Sequence, residues 1–118
     1  MKSISEQISD KQNYLLNKSD CLYPDELSRI GMDLAVLLSS VGAEEASREI
    51  TCNMVMKLLM DNDSKMTKSK AEVMMKCQEE YESFRKVRAV RISLEEIIKM
   101  IKIRIRALQN EEQITKNI

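Results

Sequence analysis

The stretch SKAEVMMKCQEEYESFRKVRAVRISLEEIIKMIKIRIRALQNEE, from Ser69 to Glu112, decides the fold. It holds no glycine or proline, and neither occurs anywhere from residue 43 to the end. Val73, Cys77, Phe84, Val87, Leu94, Ile98, Ile101, Ile105 and Leu108 recur at helical spacing. Written as heptads, Cys77, Phe84, Arg91, Ile98 and Ile105 share one core position. Glu80, Val87, Leu94, Ile101 and Leu108 share the other. This is a coiled-coil seam interrupted by Glu80 and Arg91. The pattern predicts a helix over about 70–112, roughly 65 Å long at 1.5 Å per residue. Ser69-Lys70-Ala71-Glu72 is a capping box that opens it. Ser93-Leu94-Glu95-Glu96 is another, so a break near 93 is expected as an option. Val87 to Ile92 and Ile101 to Arg106 also alternate with the strand period of two. No turn signal flanks them, and Glu95, Glu96, Ala107, Leu108 and Gln109 favour helix.

Upstream, Pro24-Asp25-Glu26 is a helix start, with proline in the first turn and acids at the positive end of the dipole. Leu27, Ile30, Leu34, Leu37, Leu38 and Val41 follow at helical spacing. Gly42 reads as a left-handed cap, which predicts helices over about 25–42 and 43–60 joined as an antiparallel hairpin. Asp61-Asn62-Asp63-Ser64 reads as a polar turn. Residues 1–22 are polar and weakly patterned. They are read as a flexible N-terminal segment with at most a short, frayed helix over about 4–17. Residues 23–118 are read as one all-α domain.

Composition agrees with the all-α reading. The chain has 118 residues, with 2 Gly and 1 Pro, far below the usual shares of about 7% and 5%. A β-sandwich or barrel needs many turns, and turns need such residues. One Phe, three Tyr and no Trp leave the core to aliphatic side chains and methionines. Histidine is absent, which removes Ser-His-Asp and Cys-His catalysis and imidazole metal ligation. Cys21, Cys52 and Cys77 are odd in number and form no CxxC pair. Three free thiols are therefore expected. No apolar signal segment opens the sequence, and no run approaches the roughly 18 apolar residues of a membrane span. A cytoplasmic protein is expected.

Zero net charge hides an asymmetry. Residues 1–65 hold 7 basic and 11 acidic residues, and residues 66–118 hold 12 and 8. Arg85, Lys86, Arg88, Arg91, Lys99, Lys102, Arg104 and Arg106 crowd one segment against Glu95 and Glu96. Such a stripe is either a solvated face pairing with the acidic half or a phosphate-binding face. Lys99, Lys102, Arg104 and Arg106 are the primary candidates for nucleic-acid contact, with Arg85, Lys86 and Arg88 as a secondary patch. Lys99, Lys102 and Arg106 share a helix face, whereas Arg104 points nearer the seam. Only Tyr81 and Phe84 lie beside these cations, so electrostatics rather than base stacking would dominate.

The apolar surface of residues 90–108 is wider than one partner helix needs, because Ile92, Ile97, Met100 and Ile103 lie off the heptad positions. Leu94, Ile98, Ile101, Ile105 and Leu108 are accordingly expected to face an intersubunit seam in a homo-oligomeric helical bundle. Carboxylates one turn apart, such as Glu45 and Glu49, are the only candidates for a divalent metal. A second acidic cluster of the ExxD kind is lacking, and acidic helix starts account for Glu44 and Glu45. No cofactor, no metal and no catalytic residue are expected.

At Ile101-Lys102-Ile103-Arg104-Ile105 the chain reads apolar-Lys-x-Arg-apolar. This resembles the basic motif with which the phage recombination mediators of the T-even type hold single-stranded DNA. In an alternative alignment, Ile101-Lys102-x-Arg104-x-x-Ala107-Leu108 resembles the Ile-Lys-x-Arg-x-x-Ala-apolar segment near that family's C-terminal helix. The resemblance covers about residues 70–112. It implies a ring-like homo-oligomer that binds single-stranded DNA and helps load a recombinase. The chain departs from the family in its neutral net charge and in a basic motif that overlaps the hydrophobic seam. The expectation is a non-enzymatic phage or mobile-element protein that binds single-stranded DNA as a recombination or replication accessory. The alternative is a protein-binding helical module, such as an anti-defence inhibitor or adaptor.

Overall fold

A computed structural model describes residues 2–18 and 23–116. Among them are four helices and no strands: α1 (Ile4–Lys18), α2 (Pro24–Asn62), α3 (Lys68–Lys76) and α4 (Glu79–Lys116). The chain is all-α, with a long C-terminal helix. No helix among the described residues is long and apolar enough to cross a membrane.

Three boundaries depart from the sequence expectation. The first is Gly42, which caps nothing. The helix α2 runs unbroken through it for 39 residues, and no glycine has a positive φ. A glycine inside a helix costs only about 1 kcal/mol relative to alanine. Val41 just before it is buried and Glu45 just after it is engaged across the interface, so the continuous helix wins. The reversal falls instead at residues 63–67, where Asp63 Oδ1 accepts from Lys65 N and Met66 N donates to Asp63 O.

The second is the long C-terminal element, which does not break at Ser93 but at Cys77 and Gln78. Cys77 N donates to Met74 O and Gln78 N to Met75 O, tightening the end of α3 into i→i−3 bonds. The helix α4 then starts with Glu79, Glu80 and Glu82 in its first turn, where the helix dipole favours acids. The N-cap of α3 is Thr67 rather than Ser69, its Oγ1 accepting from Lys70 N at 3.2 Å.

The third is the N-terminal segment, where the optional helix over about 4–17 is present instead of a flexible stretch. Within 1–22, residues Ile4–Lys18 form a complete helix whose Ile8 is buried. Glu6 N donates to Ser3 Oγ, capping its start.

The described residues group into two compact units. Unit 1 comprises residues 1–39 and 92–118: α1, the first part of α2 and the C-terminal part of α4. Its core is Ile8, Leu27, Ile30, Leu34, Leu94 and Ile101. Unit 2 comprises residues 40–91: the rest of α2, α3 and the start of α4. Its buried side chains are Val41, Cys52, Ala71 and Met75, a smaller and less bulky set.

Candidate nucleic-acid interface

The seam residues on α4 are spent inside the chain. Leu94 and Ile101 are buried in unit 1, with Ile101 Cγ2 3.5 Å from the site of a Cβ on Gly31. Ile98, Ile105 and Leu108 are half-buried on the same side of the helix. The expectation that these five residues face another subunit is therefore corrected at Leu94 and Ile101. Ile101 packs beside Gly31 of α2 in the same chain. The exposed large apolar residues on α4 in unit 1 are the off-seam set Ile92, Met100 and Ile103, and Ile114 near its end.

The basic side chains divide between the two units. In unit 1, Lys99, Lys102, Arg104 and Arg106 are all exposed. Lys99, Lys102 and Arg106 follow steps of three and four and form one face of α4. Arg104 lies about 200° around the helix from Lys102, at about 100° per residue, and lines a different surface described below. In unit 2, Arg85, Lys86 and Arg88 are exposed on the first turns of α4. Lys86 Nζ sits 3.3 Å from Glu82 Oε1 one turn back, and the Arg88 guanidinium lies 5.8 Å from the centroid of Phe84. The Tyr81 and Phe84 rings approach at 6.2 Å between centroids.

The acidic N-terminal half does not neutralise these cations by ion pairs among the described residues. The acids Asp10, Asp33 and Glu44 pair with Lys2, Lys11 and Arg48, all in the same half of the sequence. The exception is Arg91, which pairs with Glu45 of α2 and is only 25% exposed against 15% for its partner. That pair explains the interruption of the heptad at Arg91. A charge in the seam of α4 meets a charge in the seam of α2, and the two form a polar layer inside unit 2.

The Glu45 carboxylate is thereby engaged by the Arg91 guanidinium. No group of three metal-ligating side chains occurs among the described residues. Cys52, on α2, is buried, and its thiol is raised above the ordinary value by burial and then by the nearby carboxylates of Glu80 and Glu49. Glu80, the other interruption of the heptad, thus lies beside Cys52. Cys52 and Cys77 are both free, and Cys21 lies outside the described residues.

No protein-family model, curated protein or solved structure matches the chain. What the molecule does must be read from its own surfaces. Unit 1 carries two clefts of different character. One, of about 420 Å³, lies between α1 and α2 and is lined by charges of both signs, Asp10, Glu26 and Asp33 with Lys11 and Arg29, with Lys11 Nζ 3.2 Å from Asp33 Oδ2 across it. The other, of about 500 Å³, is bounded by α1, the start of α2 and α4, and is lined mainly by apolar side chains with Arg104 among them. Residue spacing does not point to this second cleft, because it arises only where the weakly patterned α1 packs.

Proposed function

We propose that this chain is a non-enzymatic helical protein that binds single-stranded DNA through the face of α4 formed by Lys99, Lys102 and Arg106. It would serve as a recombination or replication accessory of a phage or mobile element. The observation that carries this reading is that the three cations share one exposed helix face and have no ion-pair partner in the acidic half among the described residues. Cations left exposed at helical spacing attract a run of phosphates, and their binding releases condensed counterions. Arg85, Lys86 and Arg88 form a second patch within unit 2, with Phe84 and Tyr81 beside them for limited stacking. The resemblance of Ile101 to Ile105 to the T-even-type mediators supports the same reading through Lys102 alone, since Arg104 of that motif lines the apolar cleft, and implies a homo-oligomer. Ile92 and Ile103 are exposed apolar residues of α4 outside the apolar cleft and available for that assembly. Replacing Lys102 and Arg106 together by Ala tests the reading by fluorescence anisotropy with labelled oligonucleotides. Affinity is expected to fall alike for all sequences, with unchanged oligomer size in light scattering. Undiminished binding by the double variant would overturn it.

A second reading is favoured by α2 in unit 2. Ala43, Ser47, Ile50, Met54 and Leu58 step by four, three, four and four, and all are exposed, the last three by about 60%. A solvent-facing stripe normally carries charge, and this one has none. It would suit a helix of another protein, in keeping with a protein-binding module. A tight, salt-insensitive complex lost on Met54→Glu would favour it over DNA binding.

A further inference from the structure

The apolar cleft of unit 1 contains one charge that the DNA-binding face does not use. Leu16, Leu27, Ile97, Met100 and Ile101 supply its apolar walls, and Arg104 is the only charged residue lining it among the described residues. Leu27 and Ile101 are buried and belong to the permanent core, whereas Leu16 and Met100 are 78% and 68% exposed at the rim. Gln12 and Asn13 of α1 add amides to the same lining. Its volume of about 500 Å³ lies within the roughly 300–1,000 Å³ of sites for small molecules. Such sites are mostly apolar, with a few polar groups that orient the ligand.

We propose that this cleft binds a small amphipathic carboxylate, an unbranched fatty acid of medium length. Its chain lies over Leu27, Ile97, Met100 and Ile101, and its carboxylate pairs with Arg104. Charge complementarity selects the head group: a guanidinium with no ion-pair partner among the described residues takes a carboxylate through two parallel N–H···O bonds. Desolvation of the rim residues Leu16 and Met100 supplies the rest, since buried apolar area stabilises by about 25 cal/mol per Å². The competing cleft between α1 and α2 suits a carboxylate less well, because Asp10, Glu26 and Asp33 outnumber Lys11 and Arg29 in its lining and Lys11 is already paired with Asp33. Arg104 sits on α4 about 200° away from Lys102, so ligand and nucleic acid would occupy different sides of the helix.

Isothermal titration of the full chain with decanoate tests the proposal, with decanol as the uncharged probe. Saturable binding of one decanoate per chain is expected, at least tenfold tighter than decanol. Arg104→Gln, an exposed position that leaves the core intact, is expected to weaken decanoate about tenfold and to leave decanol unchanged. Met100→Ser is expected to weaken both probes. Neither variant is expected to change single-stranded DNA affinity by more than twofold, whereas Lys102→Ala with Arg106→Ala reduces DNA affinity and leaves decanoate binding alone. Non-saturable uptake, or equal decanoate affinity in wild type and Arg104→Gln, would overturn the proposal whatever the DNA result. A loss of DNA binding in Arg104→Gln with no decanoate binding in wild type would return Arg104 to the nucleic-acid face.

Discussion

Both units are built from α2 and α4, yet they hold the two helices together by different means. In unit 1 the contact is aliphatic: Leu27, Ile30 and Leu34 of α2 and Leu94 and Ile101 of α4 are all buried. In unit 2 the same two helices are joined by an ion pair between Glu45 and Arg91, and the buried α2 side chains there are only Val41 and Cys52. The aliphatic seam contributes most of the stability, because burial acts in proportion to apolar area. It specifies register poorly, since leucines and isoleucines can exchange partners. A partly buried ion pair contributes little net stability but penalises any register in which either charge is left alone. One unit therefore supplies cohesion and the other supplies alignment.

The largest expected effect is in unit 1. Leu34→Ala removes a fully buried side chain and is expected to cost about 2–5 kcal/mol, read as a lower urea midpoint with an unchanged slope. A loss under 1 kcal/mol would break the contrast. In unit 2, Arg91→Leu alone is expected to cost about 1–3 kcal/mol because it strands the Glu45 carboxylate. Adding Glu45→Leu is expected to return stability to wild type or above it. If the double variant is as unstable as the single, the pair contributes cohesion and not only register.

Gly42→Ala sharpens the comparison where α2 passes from one unit to the other. A Cβ at Gly42 meets nothing within 4 Å, and the residue is helical, so the substitution is expected to stabilise by about 0.5–1 kcal/mol. A glycine in a left-handed cap would instead make alanine destabilising, and thermal unfolding tells the two apart by sign. The smallest effect concerns Cys52. Its folded-state thiol is raised above the ordinary 9.0. The neutral form is therefore favoured by folding, and that stability is present in full below pH 9 and lost as pH rises through the folded value. Cys52→Ala is expected to remove the loss, and Cys77, which is exposed, is expected to react with a thiol reagent before Cys52.

Much of this was legible in the sequence because it is local. The absence of Gly and Pro after residue 42 and the 3.6-residue periodicity are enough for an all-α chain with a long C-terminal helix. The exposure of Lys99, Lys102 and Arg106 followed from their place off the heptad positions. Gly42 misled, because a glycine is compatible with both a cap and a helix interior, and only the packing on either side decides. The break at Cys77 and Gln78 left no glycine or proline to read. The Arg91 interruption was visible, but its partner was not. The available signal was the heptad of α2, in which Leu38, Glu45, Cys52 and Leu59 stand seven apart. A charge in each seam at one level is a pairing that register alone reveals. The burial of Ile101 within the chain depends on α1 and α2 reaching it, which residue spacing on α4 does not report.

The central claim is that the face of Lys99, Lys102 and Arg106 holds a single strand by its phosphates. The salt dependence of wild-type binding to a single-stranded oligonucleotide tests it most directly. Three phosphate contacts at about 0.7 each put the slope of log affinity against log salt near −2 per chain, with little preference among base sequences. A slope near zero, or no binding at low salt, would contradict the account.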